Sequence, residues 1–373
     1  LSSAASDVYK RQHITFSGGE ITIGGTGTND YRGETFIDSG KVTLAKNSGF
    51  GQTEKLTIEG GGVDIAGFSQ TLGALSVDSD ASISGSGSLT LGSAAYSGTS
   101  STVSGVLSNI TGTVSLTNGH TLTMNQAEGL GASGTFSLET GTTVYVKGDQ
   151  NTTDTRGNFS KAVTGDGTVV FDNSTNINIT GSNSGYTGDW TLQNNSTAFV
   201  NGNGTLTADA MLGSGGMVTL SSTGDVLQIS QNGGEIVLDN VFAGNGRLEV
   251  IGTADETGSN QTFSFYSGWS TTDNVNFTGT LAMSGSLDMT VGGAENSSGA
   301  YNASNLANAD VEVGSGSVLA VESGGTVSTF KDLTLNGGAI EFGSTMEVLP
   351  GISFGNLTIL GACLLYTSPS PRD

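Results

Sequence analysis

Two histidines, one cysteine and 34 carboxylate side chains are where chemistry could begin in this 373-residue chain. A Ser-His-Asp nucleophile needs a histidine within hydrogen-bond reach of its serine. His13 lies close to the N-terminal end, and His120 follows Asn118-Gly119, a pair that reads as a turn. No Gly-x-Ser-x-Gly elbow joins a strand to a helix. Acid–base work by two carboxylates is the other route. Asp78/Asp80 and Asp255/Glu256 are the closest pairs in sequence, and neither has a basic residue near it. Both read as solvated corners, although pairs formed between neighbouring strands are invisible at this level. No catalytic residue is expected.

Cofactor and metal sites fare no better. Gly129-Leu130-Gly131-Ala132-Ser133-Gly134 fits Gly-x-Gly-x-x-Gly, but a dinucleotide site needs a helix next, and Phe136-Ser137-Leu138 reads as a strand. Gly24-Gly25-Thr26-Gly27-Thr28-Asn29 nearly fits a calcium-binding nonapeptide, which works in tandem copies, and here there is one. Zinc would lack its Cys and His ligands. The strongest interaction candidate is Phe263-Ser264-Phe265-Tyr266-Ser267-Gly268-Trp269. Phe263 and Phe265 alternate toward a core, while Tyr266 and Trp269 are placed to form an exposed aromatic platform for sugar or protein. The competing reading is ordinary packing at a corner.

The elements that would position these residues are short strands. Val42 and Leu44 alternate with Thr43, and Val63/Ile65 and Leu75/Val77 repeat the pattern, with Gly or Ser-Gly corners between. Further candidates include Thr121-Met124, Thr143-Val146, Val218-Leu220, Leu248-Val250, Val311-Val313 and Leu357-Ile359. Strands of this length are not stable as lone hairpins. They become stable when each coil stacks on the next and the inward rows merge, which is a β-solenoid. An aromatic-x-Gly signature recurs at Tyr31, Tyr96, Tyr186 and Phe277, at intervals of 65, 90 and 91 (96 − 31, 186 − 96, 277 − 186). A period of about 22 residues then gives about 16 coils, stacked to roughly 75 Å.

The run Asn29-x-Tyr31-x-Gly33-x-Thr35-x-Ile37-x-x-Gly40-x-Val42-x-Leu44 resembles the passenger-associated transport repeat of bacterial autotransporters, and Gly62 to Leu75 resembles the segment that follows it. The resemblance implies a right-handed, single-stranded parallel β-helix passenger of the type V secretion route, similar to pertactin and the diffuse-adherence adhesins. It also implies display at the Gram-negative outer membrane through a C-terminal barrel outside this sequence. Some autotransporters carry protease or lipase passengers, and their motifs are missing here.

Residues 1–12 and 363–373 break the pattern. They hold Lys10-Arg11, Pro369, Pro371 and the single cysteine, Cys363, and they resemble translated sequencing-adapter ends. The alternative is a native disordered tail at each end. Residues 13–362 read as one continuous passenger fragment with irregular loops near 149–161 and 253–274. Without the ends the chain keeps 9 basic and 32 acidic residues (12 − 3 and 34 − 2). That polyanion has no basic stripe, which argues against nucleic acid as a partner. A body without cysteine must rely on its core rather than on disulfides.

The expectation is therefore a non-catalytic rod, without cofactor or metal, acting in adhesion, autoaggregation or biofilm formation. Its partners would be host-cell or matrix glycans and proteins, or other copies of the rod. Two alternatives stay open: a carbohydrate-active β-helix enzyme, and a two-partner-secreted haemagglutinin-like rod.

Overall fold

Alternation of Leu, Val and Ile with Thr and Ser makes each strand amphipathic with a period of two, and glycine at nearly every corner lets the chain turn within a few residues. The computed structural model describes residues 13–96, 100–147, 157–174, 176–203, 206–254, 258–265, 276–292, 306–322, 328–342, 352–361 and 364–367. It is nearly all β, and its parallel sheets form a β-solenoid of about 13 turns. Ladder after ladder in both units is parallel, and among the described residues the antiparallel contact is an isolated bridge between Gly314 and Gly337. The chain divides into two compact units, Leu1–Asp189 and Trp190–Asp373.

In the first unit, strand Thr35–Leu44 pairs with Ile14–Ile23 on one side and with Lys55–Ile58 and Gly61–Asp64 on the other. The register stacks like on like. Ile37, Ile58, Val77, Val103, Met124, Val146 and Phe171 form one continuous inward column. Leu72, Leu91, Leu116 and Leu138 form another on a second sheet. All eleven side chains are buried. Each contributes roughly 1.5–3 kcal/mol, too little to offset the ordering of a lone coil, so stability belongs to the stack.

The second unit repeats the scheme. Val200, Ile229, Val250, Met283, Val313 and Leu335 make a buried column across six strands. Ile236, Phe263, Met289, Leu319 and Ile340 make its counterpart on another sheet.

Turn length is where the sequence-based period fails. Leu56 faces Leu75 (75 − 56 = 19), whereas Val250 faces Met283 (283 − 250 = 33) and Met283 faces Val313 (313 − 283 = 30). A ladder fixes only the strands, so corners lengthen freely, and about 13 turns replace the expected 16. Two expected loops also carry strands. Gly157–Phe159 pairs with Ile177–Ile179, and Gln261–Phe265 pairs with Ile236–Leu238 and Leu287–Gly292. Leu364–Thr367, set aside with the C-terminal end, pairs with Ala339–Phe342. Leu, Tyr and Thr favour strands, and the unpaired edge of Ala339–Phe342 is a template for one more. Residues 1–12 lie outside the described residues.

Two buried charges show how the interior accepts polar groups. Lys161 is fully buried in the first unit, and its ammonium donates to the carbonyls of Ile110 (2.9 Å), Leu130 (3.4 Å) and Ser133. Burial pulls its pKa down to about 8. Asp225, fully buried in the second unit, accepts from Ser196 N (2.9 Å), Ser222 N (2.7 Å) and Ser222 Oγ (2.8 Å). Both satisfy the rule that a buried charge must be richly hydrogen-bonded.

Candidate functional site

The repeat motif folds as a corner followed by a strand. Asn29 Nδ2 donates to Gly49 O at 2.8 Å, its Oδ1 accepts from Tyr31 N at 3.1 Å, and Tyr31 Oη donates to Glu34 O at 2.5 Å. Burial, the largest influence, raises the Tyr31 phenol pKa and keeps it a donor. Gly33 O accepts from Glu54 N on the next coil. Thr35 and Thr53 share a buried hydroxyl pair at 2.9 Å. Ile37, Val42 and Leu44 enter the core, and Gly40 takes φ 87° where the strand bends. The motif residues thus build a coil and present no reactive group.

The same corner recurs twice more. Tyr186 and Phe277 each bridge in parallel to a glycine one coil earlier, Gly165 and Gly244. Thr187 N donates to Gly165 O at 2.9 Å, and Thr278 N donates to Gly244 O at 2.8 Å. A Cβ at Gly188 would overlap Gly167 O, and one at Gly279 would overlap Gly246 O. In these two copies the glycine of aromatic-x-Gly is therefore required by close approach of two coils. Tyr186 Oη also donates to Asp189 O at 2.7 Å, three residues on, as Tyr31 does to Glu34. Ser97 and Gly98 of the remaining copy lie outside the described residues.

The expected candidates for chemistry separate. Asp78 and Asp80 are exposed at a corner. Asp255 and Glu256 lie outside the described residues, as do Tyr266 and Trp269, so nothing is placed for the aromatic platform. Phe263 is buried and stacks edge-on with Phe265 at 5.0 Å. Thr135–Leu138 is a strand, which removes the helix a dinucleotide loop needs. Lys46 Nζ donates to Gly27 O in the near-nonapeptide, putting a cation where calcium would bind. Among the described residues no group of three or more His, Cys, Asp or Glu side chains could hold a metal ion, and no helix is long and apolar enough to cross a membrane.

Two constellations escaped sequence reasoning. The first is Ser101 Oγ against His120 Nε2 at 2.7 Å. Both residues are buried, Ser101 Oγ also accepts from Leu75 N at 2.8 Å, and burial holds the His120 pKa down at about 4. A neutral imidazole sealed from solvent, next to a serine already used as an acceptor, is a core hydrogen bond rather than a catalytic pair.

The second is an outward network on the second unit. Gln228, Glu249, Ala282, Glu312 and Thr334 face one another on five successive strands. Arg247 lies two residues before Glu249 and reaches over the small Ala282. Its Nε donates to Glu249 Oε1 at 2.7 Å and its Nη2 to Glu312 Oε2 at 2.9 Å. Gln228 Nε2 donates to Glu249 Oε2 at 3.0 Å, and Asn336 Nδ2 donates to Glu312 Oε1 at 3.2 Å. Burial raises the Glu312 carboxyl, but hydrogen bonds from Arg247 and Asn336 and the guanidinium charge outweigh it, and its pKa ends below the ordinary value. Burial likewise lowers Arg247, and its two carboxylate partners more than restore it. Beside this network, Lys331 Nζ meets Asp310 at 3.1 Å, and Asn356 donates twice to Asp332. Only register could have revealed it, because Arg247 and Glu312 are 65 residues apart in sequence.

The second unit also brings Asp209 and Asp239 together. Asp239 N donates to Asp209 Oδ1 at 3.2 Å. Burial first, and then the Asp239 charge, raise Asp209, while burial raises Asp239. No protein-family profile, curated protein or solved structure matches the chain.

Proposed function

We propose that the chain is a non-catalytic passenger segment of autotransporter type, displayed on a bacterial cell surface and acting in adhesion, autoaggregation or biofilm formation. The observation that supports this reading best is the Asn29–Leu44 motif. It resembles the passenger-associated repeat, and its residues are spent on joining coil to coil. Outward positions carry Thr, Ser, Asn and carboxylates, a polar surface suited to many weak contacts made in parallel. Attachment to the Gram-negative outer membrane would come through a barrel elsewhere in the full protein. Partners in this reading are host-cell or matrix glycans and proteins, or further copies of the chain.

The alternative of a carbohydrate-active enzyme gains one observation, the Glu249–Glu312 pair with Arg247 between them. A glycosidase needs one of its two carboxyls protonated as general acid. The depressed pKa of Glu312 works against that role. The test is to display the chain from a Gram-negative surface behind an unrelated secretion leader and barrel. The expected result is cell settling or retention on host cells above that of barrel-only cells. Equal behaviour of the two strains, or turnover of a polysaccharide that disappears in Glu312→Gln, would refute the reading.

A further inference from the structure

The Arg247 network borders a surface groove of about 330 Å³, kept open by the small residues Ala282 and Gly314. Its polar lining comes from Arg247, Glu249, Ser284, Glu312, Ser315 and Asn336. Arg247, Glu249, Glu312 and Asn336 are already held by one another, so they meet a ligand without first being ordered.

The remaining hydrogen-bonding capacity defines what fits. A guanidinium has five N–H donors, of which Arg247 uses one on Nε and one on Nη2, leaving three without a partner among the described residues. Each of the four oxygens of Glu249 and Glu312 accepts one hydrogen bond and keeps a second lone pair. The Ser284 and Ser315 hydroxyls add groups that both donate and accept. A metal ion wants acceptors alone, and a phosphate or sulfate wants donors alone. The groove offers both, interleaved, with two carboxylates against one guanidinium. Anionic ligands are repelled, and ligands whose every polar group both donates and accepts are favoured.

We propose that this groove is a binding site for neutral saccharide units of a polysaccharide or glycan. The proposal deepens the adhesive reading above, on which it rests, by giving that reading a ligand and a place. Glu249 and Glu312 stand two strand spacings apart, about 9.6 Å between backbones, so sugar hydroxyls reach carboxylates on both sides. A single shallow contact of this kind is weak, with a dissociation constant on the order of 1 mM, and gains from repetition on a cell surface.

The test titrates the full purified chain by isotope-edited NMR and calorimetry. The probes are neutral oligomers of glucose, mannose, galactose and N-acetylglucosamine, with polygalacturonate as anionic probe and calcium ion as cationic probe. At least one neutral oligomer is expected to bind and to shift the signals of Ser284, Ser315 and Asn336. The outward substitution Ser284→Trp fills the groove and is expected to weaken that binding tenfold or more, while Thr57→Trp on the first unit leaves it unchanged. Melting curves establish that both variants fold. If Ser284→Trp does not fold, Ser315→Trp supplies the same block. The proposal is overturned if no neutral oligomer binds, if blocking the groove leaves binding intact, or if polygalacturonate or calcium binds more tightly. Displayed cells separate its failure from that of the adhesive reading. Adhesion that survives Ser284→Trp removes the groove alone, and saccharide binding by a chain that confers no adhesion removes the adhesive reading alone.

Discussion

The first unit buries a cation and the second buries an anion, and each solves the problem with main-chain dipoles. Lys161 sits among three carbonyl oxygens, and Asp225 sits among two amide N–H groups and a hydroxyl. Successive coils leave carbonyl and N–H groups at their corners, where neither ladder uses them. A solenoid can therefore hold either sign inside, provided the side chain reaches a corner. The units differ again on the outside. The first keeps its turns short, as at Leu56–Leu75, while the second inserts long excursions between Val250, Met283 and Val313 and gathers Arg247, Glu249 and Glu312 on its surface.

The largest effect comes from breaking the buried cation. Lys161→Ala removes the ammonium, strands three carbonyls and opens a cavity, for a loss of about 3–5 kcal/mol in chemical denaturation of the first unit. Asp225→Ala is expected to cost the second unit about 2–4 kcal/mol, since it strands three smaller donors. Equal, near-zero costs would mean that corner dipoles do not hold these charges.

Acidification separates the units by sign. The His120 pKa is about 4 when folded against 6.5 for the free side chain, so the unfolded chain binds the extra proton between those values. The His120 contribution to the stability of the first unit is complete above pH 6.5 and falls by about 2–3 kcal/mol as pH drops toward 4, well below the range in which Lys161 titrates, and His120→Gln flattens that slope. Asp209 and Asp239 act oppositely, because their pKa values are raised above 3.8 when folded. Above 3.8 they hold protons that the unfolded chain has released, so their contribution favours folding as pH falls. Glu312, lowered from 4.5, opposes them only below that value. Melting curves of the chain against pH, with and without Asp209→Asn, check the contrast.

The smallest effect belongs to the exposed network. Arg247→Gln is expected to cost about 1 kcal/mol, less in high salt, because a partly solvated ion pair gains little over water. A loss above that of Lys161→Ala would reverse the ranking of interior over surface.

The fold was legible because alternation is local. Val42-Thr43-Leu44 and Leu248-Glu249-Val250 declare their inward faces without help from the rest of the chain. The aromatic-x-Gly signature was visible as a recurrence, but the reason for its glycines was not: only stacked coils leave no room for a Cβ at Gly188 or Gly279. Register was not legible, because nothing near Arg247 announces that Glu312 lies two coils away. Lys161 falls in a stretch that reads as an irregular loop, since a lysine in polar sequence looks solvated until the carbonyls around it are known. The Ser101–His120 contact was missed for the same reason: its partners are 19 residues apart and meet only through stacking.

Paired cysteines test the stacked parallel register most directly. In a Cys363→Ser background, Thr57→Cys with Ser76→Cys places two thiols on facing, half-buried positions of adjacent coils. Backbones one strand spacing apart, about 4.8 Å, lie within disulfide range. The account predicts an intramolecular disulfide on mild oxidation, in a monomer that melts no lower than its reduced form. If Thr57→Cys stays reduced with Ser76→Cys but closes with Leu75→Cys, the partner expected of antiparallel strands, the account is contradicted.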